Sequence, residues 1–225
     1  MKRPPIAVLL LVLGIALLGP APARAWTEFL SMDALPEQSG LKLIPDGSPV
    51  SSSVVSGGIL TLTAQGFREY VAPPSWLNTV NAAAGYIIEF RMRILASTRC
   101  YAGREIGVWY YDNTIATIVS IDPDRIYVHY PTGGQPYANL EATQWHTYTI
   151  LVRSSHHRIF VDGAPTLDYR HPGTGEASQV LMFGDMGSCG YSQSEWDYVA
   201  YETAPVVAVA PTTWGKLKTL YRAQR

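Results

Sequence analysis

Glu89, Arg91 and Arg93 stand at alternate positions, so on an extended backbone their side chains share one face. A row of one carboxylate and two guanidinium groups can hydrogen-bond a polar ligand or form ion pairs across strands. Trp109 and Tyr111 share a second such face, opposite Val108 and Tyr110. One of these pairs is core; the other, if exposed, stacks on the apolar C–H face of a sugar ring. Tyr127 and His129 share a third face, opposite Ile126 and Val128. Beside an arginine, a Tyr or His can serve as the base of a polysaccharide lyase; the bland alternative is a polar sheet face. Glu195, Asp197 and Glu202 form the densest carboxyl set. Seven residues separate Glu195 from Glu202, which on an unbroken strand puts them on opposite faces. His156 and His157 fall where a hairpin turn is expected and read as solvent-exposed, since two adjacent histidines carry little metal-binding signal.

The elements that position these groups are short strands. Residues 86–94 alternate cleanly, with Tyr86, Ile88, Phe90, Met92 and Ile94 on one side and Ile87, Glu89, Arg91 and Arg93 on the other. Period two with one apolar face is a half-buried strand. Further strands are expected at 59–64, 107–112, 117–121, 125–130, 145–153, 158–161, 180–183 and 195–201, with turns at Gly57-Gly58 and Asp162-Gly163. Many short strands between turn residues, with 14 tyrosines and no internal repeat, indicate an all-β sandwich or barrel.

The two ends differ from this body. Lys2 and Arg3 precede an apolar run from Ile6 to Leu18, and Ala23-Arg24-Ala25 follows. That layout is a secretory signal peptide over 1–25, too short for a comfortable membrane span. No later segment is long and apolar enough to span, so an exported protein, periplasmic, cell-surface or extracellular, is expected. Residues 26–202 carry 10 basic and 18 acidic residues, a net charge of −8, which disfavours nucleic acid, because phosphate contacts need clustered Lys and Arg. In an oxidising compartment the two cysteines, Cys100 and Cys189, read as a disulfide, with their loops meeting at one rim of the sandwich. Residues 203–225 read as a Pro-rich linker and a short basic amphipathic helix from Trp214 to Arg222. This tail resembles C-terminal endings of other exported bacterial proteins and is expected to be dispensable for folding.

Four stretches in order resemble the concanavalin A-like lectin/glucanase superfamily. Gly85-Tyr-Ile-Ile-Glu89-Phe-Arg91-Met-Arg93 is similar to the Gly-x-x-Glu-x-Arg-x-Lys strand of laminarinase-type β-glucanases. Gly107-Val-Trp-Tyr-Tyr-Asp112 is similar to the aromatic strand after it. Trp145-His-Thr-Tyr-Thr-Ile with Arg158-Ile-Phe-Val-Asp-Gly163 resembles the hairpin ending in Val-Asp-Gly, also found in laminin G-like modules, and Trp196-Asp-Tyr-Val-Ala-Tyr201 resembles the final strand. The resemblance implies a two-sheet antiparallel jelly-roll sandwich over 26–202. It implies that Glu89 and Arg91 line the concave cleft, with Trp109, Tyr111, Tyr127 and His129 as further ligand-binding residues. It also implies a structural calcium ion held by Asp197 with oxygens near Gly58, Asp33 or Glu28; the alternative is that Asp197 pairs with backbone or arginine.

The family's hydrolases carry Glu-x-Asp-x-(x)-Glu on one strand, and retaining glycosidases need two carboxyl groups about 5 Å apart. The matching region, 114–122, offers no Glu and only the terminal Asp122. The chain is therefore expected to be a carbohydrate- or surface-polymer-binding module without a glycosidase centre. A polysaccharide lyase or atypical hydrolase built on Glu89, Arg91, Tyr111 and His129 is the second reading, and a structural or adhesive surface domain the third.

Overall fold

The computed structural model describes residues 26–76, 84–98, 106–112, 116–129, 136–171, 179–185, 187 and 190–203. The expected signal peptide, the tail with its helix, and both cysteines lie outside these residues. All described residues belong to one compact unit, Trp26–Pro211.

Fifteen strands are described: β1 Glu28–Ser31, β2 Lys42–Pro45, β3 Ser52–Ser56, β4 Ile59–Gln65, β5 Arg68–Val71, β6 Tyr86–Ser97, β7 Ile106–Asp112, β8 Ala116–Asp122, β9 Arg125–His129, β10 Tyr137–Asn139, β11 His146–Arg153, β12 His156–Val161, β13 Ala164–Arg170, β14 Gln179–Asp185 and β15 Tyr191–Glu202. Apart from these there are two single-turn 3-10 segments, Pro36–Ser39 and Pro74–Trp76. One sheet runs β13-β12-β11-β6-β15-β4-β3, with β1 also paired to β15, and the other runs β10-β9-β8-β7-β14-β5-β2. Every described pairing is antiparallel. The fold is a two-sheet jelly-roll sandwich. We call the two sheets the β6/β15 sheet and the β7/β14 sheet.

Alternation decides what meets between the sheets. From β6 come Tyr86, Ile88, Phe90, Met92 and Ile94; from β7, Ile106, Val108 and Tyr110; from β14, Leu181 and Phe183; all are buried core residues. Aromatic rings pair within and between the layers: Phe90 stacks at 5.0 Å on Tyr148, its neighbour on the next strand of the same sheet, and Trp196 lies 5.1 Å from Phe183 of the other sheet. Such ring pairs add roughly 0.5–1.5 kcal/mol beyond their area burial.

Two expectations fail for identifiable reasons. The hairpin turn between β11 and β12 is Ser154-Ser155 alone, with Arg153 paired to His156 and Ser154 in the left-handed region at φ 52°. His156 and His157 therefore belong to β12. His157 is fully buried, and its Nδ1 lies 2.9 Å from the hydroxyls of both Tyr110 and Tyr169. Burial, with the nearby His171 and His156, pushes its pKa down to about 3, so it is a neutral core histidine. Glu202 is the second. The β15 register shifts between Trp196 and Tyr198. That bulge inserts one residue and resets the alternation. Glu202 stands opposite Ile87 and Glu195 opposite Arg93, so both point to the same outer face.

Candidate functional site

Each sheet has an outer face, and the sequence-derived site residues divide between them. Glu89 and Arg91 lie on the outer face of the β6/β15 sheet; Trp109, Tyr111, Tyr127 and His129 lie on the outer face of the β7/β14 sheet, across the sandwich. The four-residue centre of Glu89, Arg91, Tyr111 and His129 is therefore not assembled. The strand that resembles the glucanase motif is present, yet its polar side does not share a cleft with the aromatic strand.

On the β6/β15 sheet the polar groups satisfy one another. Glu89 is buried and accepts hydrogen bonds from Thr149 Oγ1 at 3.0 Å and from the Tyr198 hydroxyl at 2.9 Å. Burial, with the Glu89 carboxylate beside it, pushes the Tyr198 hydroxyl pKa well up, so the phenol stays protonated and donates. Arg91 Nη1 donates to Asp197 Oδ2 at 2.9 Å. Arg93 Nε donates to Glu195 Oε2 at 2.7 Å. Both guanidinium groups lie over the Trp145 ring, at 4.8 and 5.1 Å, a cation–π arrangement. Cross-strand registers set this up: Arg93 faces Glu195, and Glu89 faces Thr149.

The same geometry bears on the calcium expectation. Met32 N reaches the Asp197 carbonyl at 3.4 Å, so the first strand's end does approach Asp197. The side-chain carboxylate is held by Arg91, and a guanidinium in that position repels a cation. The residues present do not fit a calcium ion at Asp197, and no cluster of three His, Cys, Asp or Glu side chains occurs among the described residues.

The outer face of the β7/β14 sheet is built differently. Trp109 and Tyr111 are half-buried there, edge to face with ring centroids 6.5 Å apart. Trp109 stands between Met182 and Ile118, and Ile118 is opposite His129. Trp109 and His129 are thus two strand spacings apart, roughly 10 Å. Tyr127 is buried and its ring lies under the Arg125 guanidinium at 5.5 Å. Arg125 is held in turn by Asp122 at 2.8 Å. On β8, the strand that corresponds to the hydrolase motif, the outward positions are Ile118, Ser120 and Asp122. A single carboxyl group stands there, already paired with Arg125.

Two residues on this face escape a reading of the sequence. Tyr137 is 64% exposed on the edge strand β10, directly opposite Tyr127. Its strand spans three residues, too short for a period to register. Glu69 lies on β5, opposite Gly184. In the run Arg68-Glu69-Tyr70-Val71 each face mixes a charged and an apolar residue, so no pattern reveals which side is inward. In the structure Tyr70 is core and Arg68 Nε reaches Ser53 of the other sheet at 2.7 Å, which turns Glu69 outward.

No protein-family model matches the sequence, and no curated protein matches it. Among solved structures the chain is similar to a carbohydrate esterase from the Shiga toxin-encoding bacteriophage phi24B, with a TM-score of 0.56 and 14% identity over 80% of this chain and 99% of that one. It is similar to a β-1,3-glucanase from Mycobacterium marinum, with a TM-score of 0.53 and 14% identity over 80% and 99% of the two chains. It is also similar to a β-1,3-1,4-glucanase (lichenase) derived from a mouse hindgut metagenome, with a TM-score of 0.53 and 14% identity over 78% and 98%. At these identities the likeness is one of fold, a two-sheet jelly roll.

Proposed function

We propose that this chain is an exported carbohydrate-binding module that presents the outer face of its β7/β14 sheet to a glycan. The observation that carries the reading is the set Trp109, Tyr111, His129 and Tyr137, which the strand order gathers on that one face. Flat aromatic groups on a rigid sheet suit the apolar faces of sugar rings and cost little side-chain entropy on binding. The jelly-roll neighbours named above as acting on carbohydrates support a carbohydrate ligand by analogy of fold, a warrant weaker than the site itself. The lone, paired Asp122 on β8 supports binding over glycoside hydrolysis, which requires two carboxyl groups in close opposition. Export rests on the leader at 1–25. The disulfide and the Asp197 assignment are no part of this reading.

Pull-down on insoluble polysaccharides and a glycan array test it, with Trp109→Ala and Tyr137→Ala alongside the native chain. Retention of the native chain and loss in both variants is the expected result. A native chain that is folded and retained by no polysaccharide would sink the reading and favour a structural surface domain.

A further inference from the structure

The pairing of charges on the outer face of the β6/β15 sheet stops at its β11–β13 end. Arg153, His156 and Arg170 stand in one row across three strands, each directly opposite the next. Alternation turns all three outward, because their chain neighbours Val152, His157 and Tyr169 are buried. Arg158 follows His156 by two residues on the same face, and Asp168 stands opposite it. Four basic groups therefore share this corner with one carboxylate. Asp168 is already taken up: His156 Nε2 donates to it at 2.5 Å, and Arg158 Nε approaches it at 3.4 Å. The His156 hydrogen bond, with Arg158 and Arg170 nearby, holds its carboxyl below the usual carboxylate range. Arg153 and Arg170 are left over. Both are exposed, and neither makes a hydrogen bond or ion pair among the described residues. By contrast Arg68, Arg91, Arg93, Arg125 and Arg158 are all held. In a body with 10 basic and 18 acidic residues, this corner reverses the sign of the surface.

A cavity of about 120 Å³ adjoins it, lined by Arg158, Phe160, Pro165, Thr166, Leu167 and Asp168. A bulge lies in its wall. Ile159 pairs with Leu167 and Phe160 with Pro165, so Thr166 is the extra residue, and such an insertion bends its strand and re-aims a side chain. The Phe160 ring carries the Arg158 guanidinium above it at 5.4 Å. Apolar walls with one hydroxyl and one carboxylate suit a sugar, whose ring has C–H faces and a hydroxyl edge.

We propose that this corner is a second glycan site, for a sugar that bears an anionic group: Arg153 and Arg170 close on its sulfate, phosphate or carboxylate while the ring sits in the cavity beside Phe160 and Thr166. The two arginines stand two strand spacings apart, roughly 10 Å, a gap that two long side chains leaning together close on one oxyanion. Guanidinium forks bind such groups through paired N–H···O contacts. The cavity begins one row further along, roughly 7 Å away, which leaves room for a ring and its substituent side by side. No large apolar side chain is exposed among the described residues of this corner. That disfavours a membrane surface, where basic groups act together with an inserted apolar face. The site lies on the sheet opposite the Trp109 face and does not rest on the reading above.

The test is calorimetric titration of the full chain with dextran sulfate, polygalacturonate and uncharged dextran, beside cosedimentation with phosphatidylglycerol vesicles. The native chain should bind at least one acidic polymer, more weakly as salt rises from about 50 to about 300 mM, as exposed charge contacts do. Arg153→Gln combined with Arg170→Gln changes two exposed side chains and leaves the fold in place. It should cost at least about tenfold in affinity for that polymer, since hydrogen bonds to charged groups are the strong ones. Thr166→Trp fills the cavity and should cost a similar factor at an unchanged melting temperature, while Trp109→Ala should leave the acidic polymer bound. A double arginine variant with native affinity overturns the proposal. So does a folded Thr166→Trp chain with native affinity, because charge alone would then suffice. Binding to the vesicles and to neither acidic polymer overturns it in favour of a membrane surface. Loss of the acidic polymer in Trp109→Ala and not in the arginine variant also overturns it, and moves that ligand to the β7/β14 face. If no acidic polymer binds, the proposal falls, and retention on insoluble polysaccharide still decides the reading of the other face.

Discussion

The two outer faces of the sandwich have similar backbone architecture and opposite chemistry. On the β6/β15 face Glu89, Arg91 and Arg93 each meet a partner on the next strand, and Trp145 lies beneath both cations. On the β7/β14 face Trp109, Tyr111 and His129 are half-buried, Tyr137 is exposed, and one carboxyl, that of Glu69, has no partner among the described residues. A face whose charges are paired inside the protein offers little to a ligand, since binding must first break those pairs. The face that presents partly exposed rings, with Tyr137 64% exposed, can meet a ligand without breaking ion pairs first, which is the physical reason to place function there.

The rim of the paired face is where the largest effect is expected. The β6–β15 ladder ends in the described residues with Ser97 opposite Ser192 and Thr98 N donating to Tyr191 O at 2.8 Å. In the sequence Cys100 follows Thr98 by two residues and Cys189 precedes Tyr191 by two, and opposed strands hold directly facing residues within disulfide reach. We predict a Cys100–Cys189 bond. Non-reducing mass analysis should find the chain two protons lighter, and reduction should cost about 4 kcal/mol of stability in the loop-entropy account. Free thiols in the native chain would rule the bond out.

Acid should distinguish the interior from both faces. His157 in the fold takes a proton only near pH 3, against 6.5 for the free side chain. Below 6.5 the unfolded chain binds more protons than the folded one, so stability is lost as pH falls from 6.5 towards 3. The loss is at most about 1.4 kcal/mol per pH unit from this group. Glu69 acts with the opposite sign: its folded pKa is raised, so the stability it lends at low pH is lost as pH rises from 4.5 to about 7. Urea titrations across pH 4–8 should find the acid slope flattened in His157→Asn and the neutral slope flattened in Glu69→Gln.

Gly107→Ala attacks the close approach of β7 to β8. With φ at 157° and a carbonyl 2.0 Å from the new Cβ, the strands must part, at a cost of about 3 kcal/mol. A melting temperature close to the native one would mean that the two strands part without cost. Arg91→Ala weakens the paired face, because the buried Asp197 loses its cation. About 2 kcal/mol of stability should go, with glycan binding unchanged; loss of binding with stability intact would reverse the assignment of the two faces. Tyr137→Ala is the mildest change to the fold, under about 0.5 kcal/mol since the ring is mostly exposed, and its effect should appear in retention on polysaccharide.

The sequence alone carried the sheet-forming interior. Residues 59–65, 86–97, 106–112, 116–122, 146–153 and 191–202 are strands in which a clean period of two, or an unbroken apolar run, marks the side that packs. The strands without such a pattern are β1, β2, β3, β5, β10 and β13. Four of these are the sheet edges, where a strand is short, half-solvated and under little demand to alternate. Alternation also told that Trp109 and Tyr111 share a face and that Val108 and Tyr110 are on the other. It could not tell which sheet a strand would join, so Glu89 and Arg91 were grouped with aromatic residues that lie across the sandwich. The bulge in β15 is likewise silent in the sequence, since one unpaired residue is chosen by the partner strands, and it turned Glu202 to the face of Glu195. Glu69 and Tyr137 came to lie on the candidate face only through strand order. A local pattern records which side of its own strand a residue takes, while non-local pairing decides which other strands that side will meet.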